Sequence, residues 1–530
     1  MQNHGLGSWL ATRRQKNPDK TALIFGDEQR MSYGELADRT DALSGLLWQR
    51  GLRRGDSVAF LGENCPEFLM TLFGCAQLGV IFVPVNTRLA PPEIAHVLSD
   101  SDARMLIHGP EFAELATTVA AQLQLPHRIQ TGEEGADGRP GLDALLAEGT
   151  RGHVDSAVGL DDPAAILYTS GTTGRAKGAV LSHGNLSWVS INALVDYDLA
   201  STDVALMISP MFHAAALGMG ALPVILKGGT MVLEQRFDAG RALALIERHR
   251  VTQLSGVPTT YQLLADHPKW AETDISSLAK LTCGGSAVPT RILEAYEARG
   301  LSFSQGYGMT ETSPGATSLA PEMTRRKQGS VGLPHFFTEV RIAAIAAGES
   351  EDDSPGEASG ENPVPVAVAP RGTIGEIQVR GPNVFLGYRG LPEATAAAFT
   401  PDGWFRSGDL GYLDEDGYLF IADRLKDMII SGGENIYPAE IEDLLYGLDG
   451  VSGAAVIGAP DEQWGEVPWA ILTVQEGTDP EHLSTEAVRA ALDGKLARYK
   501  LPKRVIVTDD LPRTASGKVR KAELRARYTG

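Results

Sequence analysis

Residues Thr169–Gly178 (TSGTTGRAKG) follow directly on the apolar run Ala165–Tyr168, and this junction constrains the chain more than any other segment. Three glycines let backbone N–H groups approach an anion closely, four hydroxyl side chains add donors, and Lys177 adds a point charge. The segment reads as a buried strand opening into a loop that holds phosphate. The spacing excludes the common nucleotide-hydrolase loop, which needs four residues between its glycines and then Gly-Lys-Ser/Thr, whereas position 176 is alanine. Taken alone, the segment would also suit a Gly/Ser/Thr hinge.

Four further segments follow in order: Gln305-Gly306-Tyr307-Gly308-Met309-Thr310-Glu311, Ser407-Gly408-Asp409, Asp423-Arg424-Leu425-Lys426-Asp427 and Pro512-Arg513-Thr514-Ala515-Ser516-Gly517-Lys518. Together with the first loop they resemble the motif set of the adenylate-forming superfamily: acyl- and aryl-CoA ligases, peptide-synthetase adenylation domains and luciferases. The resemblance runs from about Met31 to Lys521. It is strongest toward bacterial fatty-acyl-CoA ligases, above all over Arg424–Glu442 (RLKDMIISGGENIYPAEIE).

That resemblance implies an α/β fold in which a large N-terminal domain of layered sheets flanked by helices (1–422) joins a small α+β C-terminal lid (428–530) through a hinge at 423–427. It implies ATP, Mg2+ and coenzyme A as cofactor and co-substrates. A carboxylate resists attack by a thiol because oxide is a poor leaving group, so it is first joined to AMP. Charge then builds on oxygens that need cations and N–H donors in fixed positions.

In this reading Thr169, Ser170, Gly171, Thr172, Thr173, Gly174 and Lys177 hold ATP phosphates. Gly285, Ser286 and Ala287 form the adenine-side loop, and Gln305, Gly306, Tyr307, Gly308 and Met309 complete the nucleotide pocket, with the Tyr307 ring on adenine. Thr310 touches the α-phosphate. Glu311 holds Mg2+, with Thr169 as a second metal-side ligand, since Mg2+ takes one or two carboxylates plus phosphate oxygens and water. Asp409 binds the ribose hydroxyls, supported by Arg424, and Asn435 contacts the nucleotide or the carboxylate. Lys518 is the main catalytic cation, although a bare Ser-Gly-Lys is an ordinary surface turn. Lys426 marks the hinge, and Gly432 and Gly433 line the path of the CoA thiol arm. His213 stands beside the acyl carboxylate, with Ala214, Gly218 and Gly284 around the acyl group.

At 530 residues the chain exceeds what one core usually serves. Its 43% hydrophobic and 22% charged fractions are those of a soluble globular protein. Three cysteines, Cys65, Cys75 and Cys283, lack metal-site spacing and argue against a disulfide framework, which places the chain in a reducing cytoplasm. No apolar stretch is long enough for a membrane span; peripheral membrane contact and a homodimer are left open. Net charge is −20, yet Arg489–Gly530 carries twelve Lys/Arg against four Asp/Glu, a local +8 that suits an anionic ligand such as ATP, CoA or an acidic carrier protein. A pI near 5.0 excludes nucleic acid as the expected partner.

The spacing predicts a capping box at Ser32–Glu35 opening a helix through Leu36, Leu43, Leu46 and Leu47. Strands follow at Ser57–Leu61 and Ile81–Val85 around a helix at Pro66–Leu78, with further buried strands at Val204–Ile208, Thr230–Leu233 and Gln253–Val257. Repeated strand–helix–strand units predict a largely parallel sheet. The acidic Gly348–Pro370 stretch reads as a mobile surface loop, and Asp414–Gly417 as a hairpin turn.

The chain departs from the family pattern at two positions, of which the second bears on substrate. Ala176 replaces the usual proline of the first loop, and Ile430 stands where plant aryl-CoA ligases usually carry lysine. Residues Ala214–Met219 are small or apolar. The expectation is an AMP-forming carboxylate–CoA ligase for an apolar acid, a medium- or long-chain fatty acid. The alternatives are a cinnamate- or benzoate-type aryl-CoA ligase, an enzyme loading a carrier protein, or a catalytically silent nucleotide sensor.

Overall fold

The computed structural model describes residues 3–26, 29–148, 157–169, 175–285, 288–344, 367–431, 434–461, 463–475, 477–478, 480–513 and 519–529. The chain divides into two compact units, Met1–Val340 with Val379–Phe405, and Arg341–Gln378 with Arg406–Gly530.

The first unit contains two sheets. In one, Thr21–Phe25, Thr230–Leu233, Val204–Met207, Gln253–Gly256, Lys280–Cys283 and Phe303–Tyr307 lie parallel in that spatial order. Antiparallel Gln29–Ser32 flanks one side, and Thr317–Leu319 followed by Ser330–Pro334 the other. In the second sheet Ser57–Leu61 lies between parallel Ile81–Pro84 and Ala103–His108, with His127–Gln130 outside. Pro163–Thr169 pairs parallel with Ile81–Pro84 and antiparallel with Lys177–Ser182, which in turn pairs with Gly387–Tyr388. The parallel expectation therefore holds at the sheet centres. The margins turn antiparallel where the connections are too short for a crossover helix.

Local chemistry explains several element ends. Ser32 Oγ accepts from the Glu35 N–H at 3.1 Å while Glu35 Oε2 accepts from the Ser32 N–H at 2.7 Å, closing the expected capping box. Leu36, Leu43, Leu46 and Leu47 then fall on the buried face. The helix Pro66–Leu78 starts with proline, whose missing N–H costs nothing in the first turn, and stops at Gly79, whose φ of +68° suits glycine. One core gathers Leu206, Val232, Leu243, Leu254, Leu281 and Phe303; a second gathers Ala59, Val83, Ile94, Leu98, Leu106 and Ile166. Each fully buried aliphatic side chain stabilises by about 1.5–3 kcal/mol.

In the second unit Phe405–Leu413 and Leu419–Arg424 form an antiparallel hairpin. Its turn closes through Gly417, φ +90°, whose N–H donates to the Asp414 carbonyl at 2.9 Å. The C-terminal part is α+β: Val451–Asp461 and Gly465–Val474 pair antiparallel, Arg504–Val507 adds in parallel, and the helix Pro438–Tyr446 packs Ile441 and Leu445 into the same core as Val456 and Leu472. Residues 345–366, most of the acidic stretch, lie outside the described residues; the chain on either side is paired, Ala344 N–H to the Ala367 carbonyl at 2.8 Å.

All three cysteines are free thiols, and burial pushes Cys75 and Cys283 up, away from thiolate chemistry. Among the described residues no helix is long and apolar enough to cross a membrane.

Candidate active site

Parallel strands share a direction, so their carboxyl ends open at one edge of the sheet, where ligands of open α/β folds bind. In the first unit that edge receives Pro210–His213 after Val204–Met207, Gly284 and Gly285 after Lys280–Cys283, and Gly308–Glu311 after Phe303–Tyr307. Residues chosen from three separated stretches of sequence are thereby collected by topology.

Close backbone packing fixes this edge. A Cβ at Gly308 would lie 1.4 Å from the Pro314 carbonyl oxygen, and one at Gly218 would lie 2.3 Å from the Ser313 carbonyl oxygen. Neither position accepts a side chain without displacing backbone. Gly218, expected beside the acyl group, is thus seated against Ser313, which follows Glu311 by two positions in the chain. Gly285 adopts φ +86°, and the space around Gly284 is open, its imagined Cβ meeting only the Gly306 carbonyl oxygen at 3.9 Å. Buried Gln305 points its Oε1 back at the Val288 N–H, 3.2 Å away, so its side chain braces the segment expected on the adenine side.

Glu311 is buried, 8% exposed, in the short turn Thr310–Thr312. Its backbone carbonyl accepts from the Phe385 N–H at 2.9 Å, and its Oε1 accepts from the Tyr388 hydroxyl at 2.9 Å. The Tyr388 ring also lies 5.2 Å from the Lys177 ammonium. Burial first, and then the Glu311 charge, push the Tyr388 hydroxyl far up, so it remains a proton donor. Lys177 in turn registers opposite Thr169. Three expected site residues, Thr169, Lys177 and Glu311, therefore converge through a tyrosine that sequence reasoning had not singled out.

The turn is held from behind by asparagines that were also missed. Fully buried Asn383 donates to the carbonyls of Thr312 (3.0 Å) and Gly315 (2.6 Å) and accepts from the Thr338 hydroxyl at 2.8 Å. Asn192 donates to that hydroxyl oxygen at 3.1 Å. Asn185, on the same helix as Asn192, grips the carbonyls of Pro382 and Val384 at 2.8 and 2.7 Å. The role of Pro382 and Asn383 depends on contacts about 70–200 residues away in sequence.

His213 is half-buried against the Phe212 ring, centroids 4.6 Å apart. Burial first, and Arg88 second, lower its pKa to about 4, so the imidazole is neutral near pH 7. Its loop is tied to the other sheet by buried Asn64, which donates to the carbonyls of Ser209 (2.9 Å) and Glu234 (3.1 Å) and accepts from the Met211 N–H at 2.8 Å. Ala214 is buried beside it.

In the second unit Asp409 is buried, follows Gly408 at φ +68°, and registers opposite Arg424; its N–H donates to Ser407 Oγ at 3.1 Å. Asn435 registers opposite Ile430. For Arg424, Lys426 and Asn435 only the backbone is described. Ser170, Gly171, Thr172, Thr173, Gly174, Ser286, Ala287, Gly432, Gly433 and Lys518 lie outside the described residues.

Among the described residues no group of three or more His, Cys, Asp or Glu side chains could cage a metal. A single buried carboxylate with a hydrogen-bonded second oxygen suits Mg2+, which keeps waters and shares its shell with substrate phosphates.

A carboxylate, a cationic loop flank and glycine-lined backbone at the ends of parallel strands define an enzyme that activates its substrate with a nucleotide. The AMP-binding enzyme family matches residues 10–389, and the AMP-binding enzyme C-terminal domain matches residues 440–518. The chain belongs to the AMP-binding enzyme family and is an AMP-forming acyl-CoA synthetase, which uses ATP, Mg2+ and coenzyme A. It is 49% identical over 529 residues to a feruloyl-CoA synthase of an Amycolatopsis species, covering 100% of both chains. It is 37% identical over 525 residues to the long-chain-fatty-acid–CoA ligase FadD13 of Mycobacterium tuberculosis, covering 99% of this chain and 98% of that one. Its structure is similar to o-succinylbenzoate coenzyme A synthetase from Bacillus subtilis in complex with ATP and magnesium ion, with a TM-score of 0.83, 32% identity and coverage of 98% and 99%.

Proposed function

We propose that the chain joins coenzyme A to an aromatic carboxylic acid of the ferulate type by way of an enzyme-bound acyl-AMP. The observation that carries this reading is the 49% identity, without a gap in coverage, to a feruloyl-CoA synthase, against 37% to a fatty-acid ligase. The fatty-acid expectation drew on the resemblance over Arg424–Glu442, the apolar Ala214–Met219 and Ile430, a half-exposed residue of the second unit; these short stretches weigh less than likeness along the whole chain. The apolar segment Ala214–Met219 and the neutral imidazole of His213 accept an uncharged aromatic ring as readily as an alkyl chain.

In this reading Thr169 and Lys177 flank the triphosphate and Glu311 holds Mg2+. Thr310 and Lys518 act on the α-phosphate, Tyr307 lies on adenine, Asp409 binds ribose, and His213 stands by the acid. When bound, Mg2+ neutralises phosphate charge as pyrophosphate departs. A rotation about Lys426 would then exchange Lys518 for the CoA thiol, whose arm passes Gly432 and Gly433; the enzyme works in a reducing cytoplasm. A second reading, a long-chain fatty acid, is favoured by the likeness to the mycobacterial ligase.

A pyrophosphate-release screen with CoA, run across ferulate, cinnamate, benzoate and straight-chain acids from hexanoate to palmitate, separates the two. Ferulate-type acids should show kcat/KM at least about tenfold above palmitate, a modest difference of ~1.4 kcal/mol in transition-state binding. Palmitate exceeding every aromatic acid would overturn the proposal.

A further inference from the structure

We infer that His96 and Asp100 are positioning residues for the nucleotide end of the site, acting through Ala176 and Tyr168; this rests on the reading of Thr169 and Lys177 as the phosphate-holding flanks. His96 and Asp100 lie four residues apart on the helix Pro91–Asp100 and so share one face. Nε2 of His96 donates to the Ala176 carbonyl at 3.0 Å, and Asp100 Oδ2 accepts from the Tyr168 hydroxyl at 2.7 Å.

Tyr168 lies in the strand Pro163–Thr169 and Ala176 directly precedes the antiparallel strand Lys177–Ser182, so the two are next to Thr169 and Lys177, which register opposite each other. A single helix face therefore grips both flanks at the level of the two expected phosphate residues. The rings of His96 and Tyr168 meet edge to face, centroids 6.2 Å apart at 79°.

Gly178 makes the reach possible. A Cβ there would lie 3.0 Å from Tyr168 Cζ and 2.7 Å from Ile166 Cγ2, so the Tyr168 ring uses the space a side chain would fill. The grip has a rigid base, because Ile94, Val97 and Leu98 on the same helix are buried among Val83, Leu106 and Ile166. Burial and Asp100 also push the Tyr168 hydroxyl far up, which keeps its proton available for the bond. None of the four residues carries a phosphate-binding role of its own in this scheme. Their effect on the reaction is to fix the spacing of Thr169 and Lys177.

The test uses the full-length enzyme and acid-dependent pyrophosphate release, with ATP and acid varied separately, in His96→Leu, His96→Gln, Tyr168→Phe and Lys177→Ala. His96→Leu and Tyr168→Phe should raise KM for ATP about three- to tenfold, the range of one lost hydrogen bond, with KM for the acid within about twofold. His96→Gln keeps an N–H donor at similar reach and should recover most of the ATP affinity. Equal rises in both KM values, or a His96→Gln enzyme as impaired as His96→Leu, would overturn the inference. If Lys177→Ala raises KM for ATP while His96→Leu and Tyr168→Phe leave it unchanged, the positioning role fails and the phosphate reading survives. If Lys177→Ala itself leaves it unchanged, both fail.

Discussion

The Tyr388 hydroxyl donates a 2.9 Å hydrogen bond to Oε1 of buried Glu311. One carboxylate oxygen of the expected metal ligand is thereby held in a fixed orientation. Because the same ring lies under the Lys177 ammonium, one phenol sets the spacing between the expected metal ligand and the expected phosphate cation.

Tyr388→Phe keeps the ring, its contact with Lys177 and its packing on Phe385, centroids 4.9 Å apart, but removes the hydrogen bond. Adenylation should slow by about tenfold, equivalent to ~1.4 kcal/mol, and the Mg2+ concentration for half-maximal rate should rise. Thioester formation from preformed acyl-AMP should change little. Magnesium titration of both half-reactions checks this.

Asn64 joins two backbone groups just before His213, on Ser209 and Met211, to the Glu234 carbonyl, and it is only 4% exposed. Asn64→Ala leaves the Met211 N–H without that acceptor and frees two carbonyls. Stability should fall by about 2–4 kcal/mol, and KM for the acid should rise more than KM for ATP. Asn64→Asp retains the acceptor and should lie between. Urea unfolding and paired KM measurements decide it.

The fold was read from local signals where local signals decide it. The capping box at Ser32, the helix Pro66–Leu78 and the strand Thr230–Leu233 each appear where periodicity and turn chemistry place them, because the hydrophobic pattern and the end residues agree. The residues proposed for the site were chosen from glycine spacing and charge, which are sequence properties. Tyr388, Asn64, Asn383 and His96 were not. Each acts on a backbone or carboxylate group 68 to 170 residues away, and an isolated asparagine, tyrosine or histidine carries no periodic mark of such a partner. Ile430 is a weak guide to the acid for the complementary reason: its identity is visible, but nothing local says whether that position touches the acid.

His213 and His183 are both held neutral with pKa lowered to about 4, chiefly by burial. Unfolded histidine titrates near 6.5, so between pH 6.5 and about 4 the unfolded chain binds more protons than the folded one. Their contribution to stability is complete above pH ~6.5 and is lost as the pH falls toward 4. The urea midpoint should therefore drop from pH 7.5 to pH 4.5, and less steeply in His183→Gln. Replacing His213 by glutamine should change the height of the rate profile between pH 6 and 8 without shifting it.

Lys518 is proposed to serve the first chemical step only. Lys518→Ala should slow acyl-AMP formation by at least ~10²-fold, as for a lost oxyanion donor, while leaving CoA acylation from preformed acyl-AMP largely intact. Single-turnover assays of the two half-reactions measure this, and equal damage to both would remove the role.

The most direct measurement follows oxygen. With ferulate labelled by oxygen-18 in its carboxylate, attack on the α-phosphorus and later displacement by the CoA thiol must leave one labelled oxygen in AMP, read by mass spectrometry. Label in AMP, with feruloyl-CoA formed and pyrophosphate unlabelled, is the expected result. Label in inorganic phosphate or pyrophosphate, or product formed without labelled AMP, would contradict activation through an acyl-adenylate.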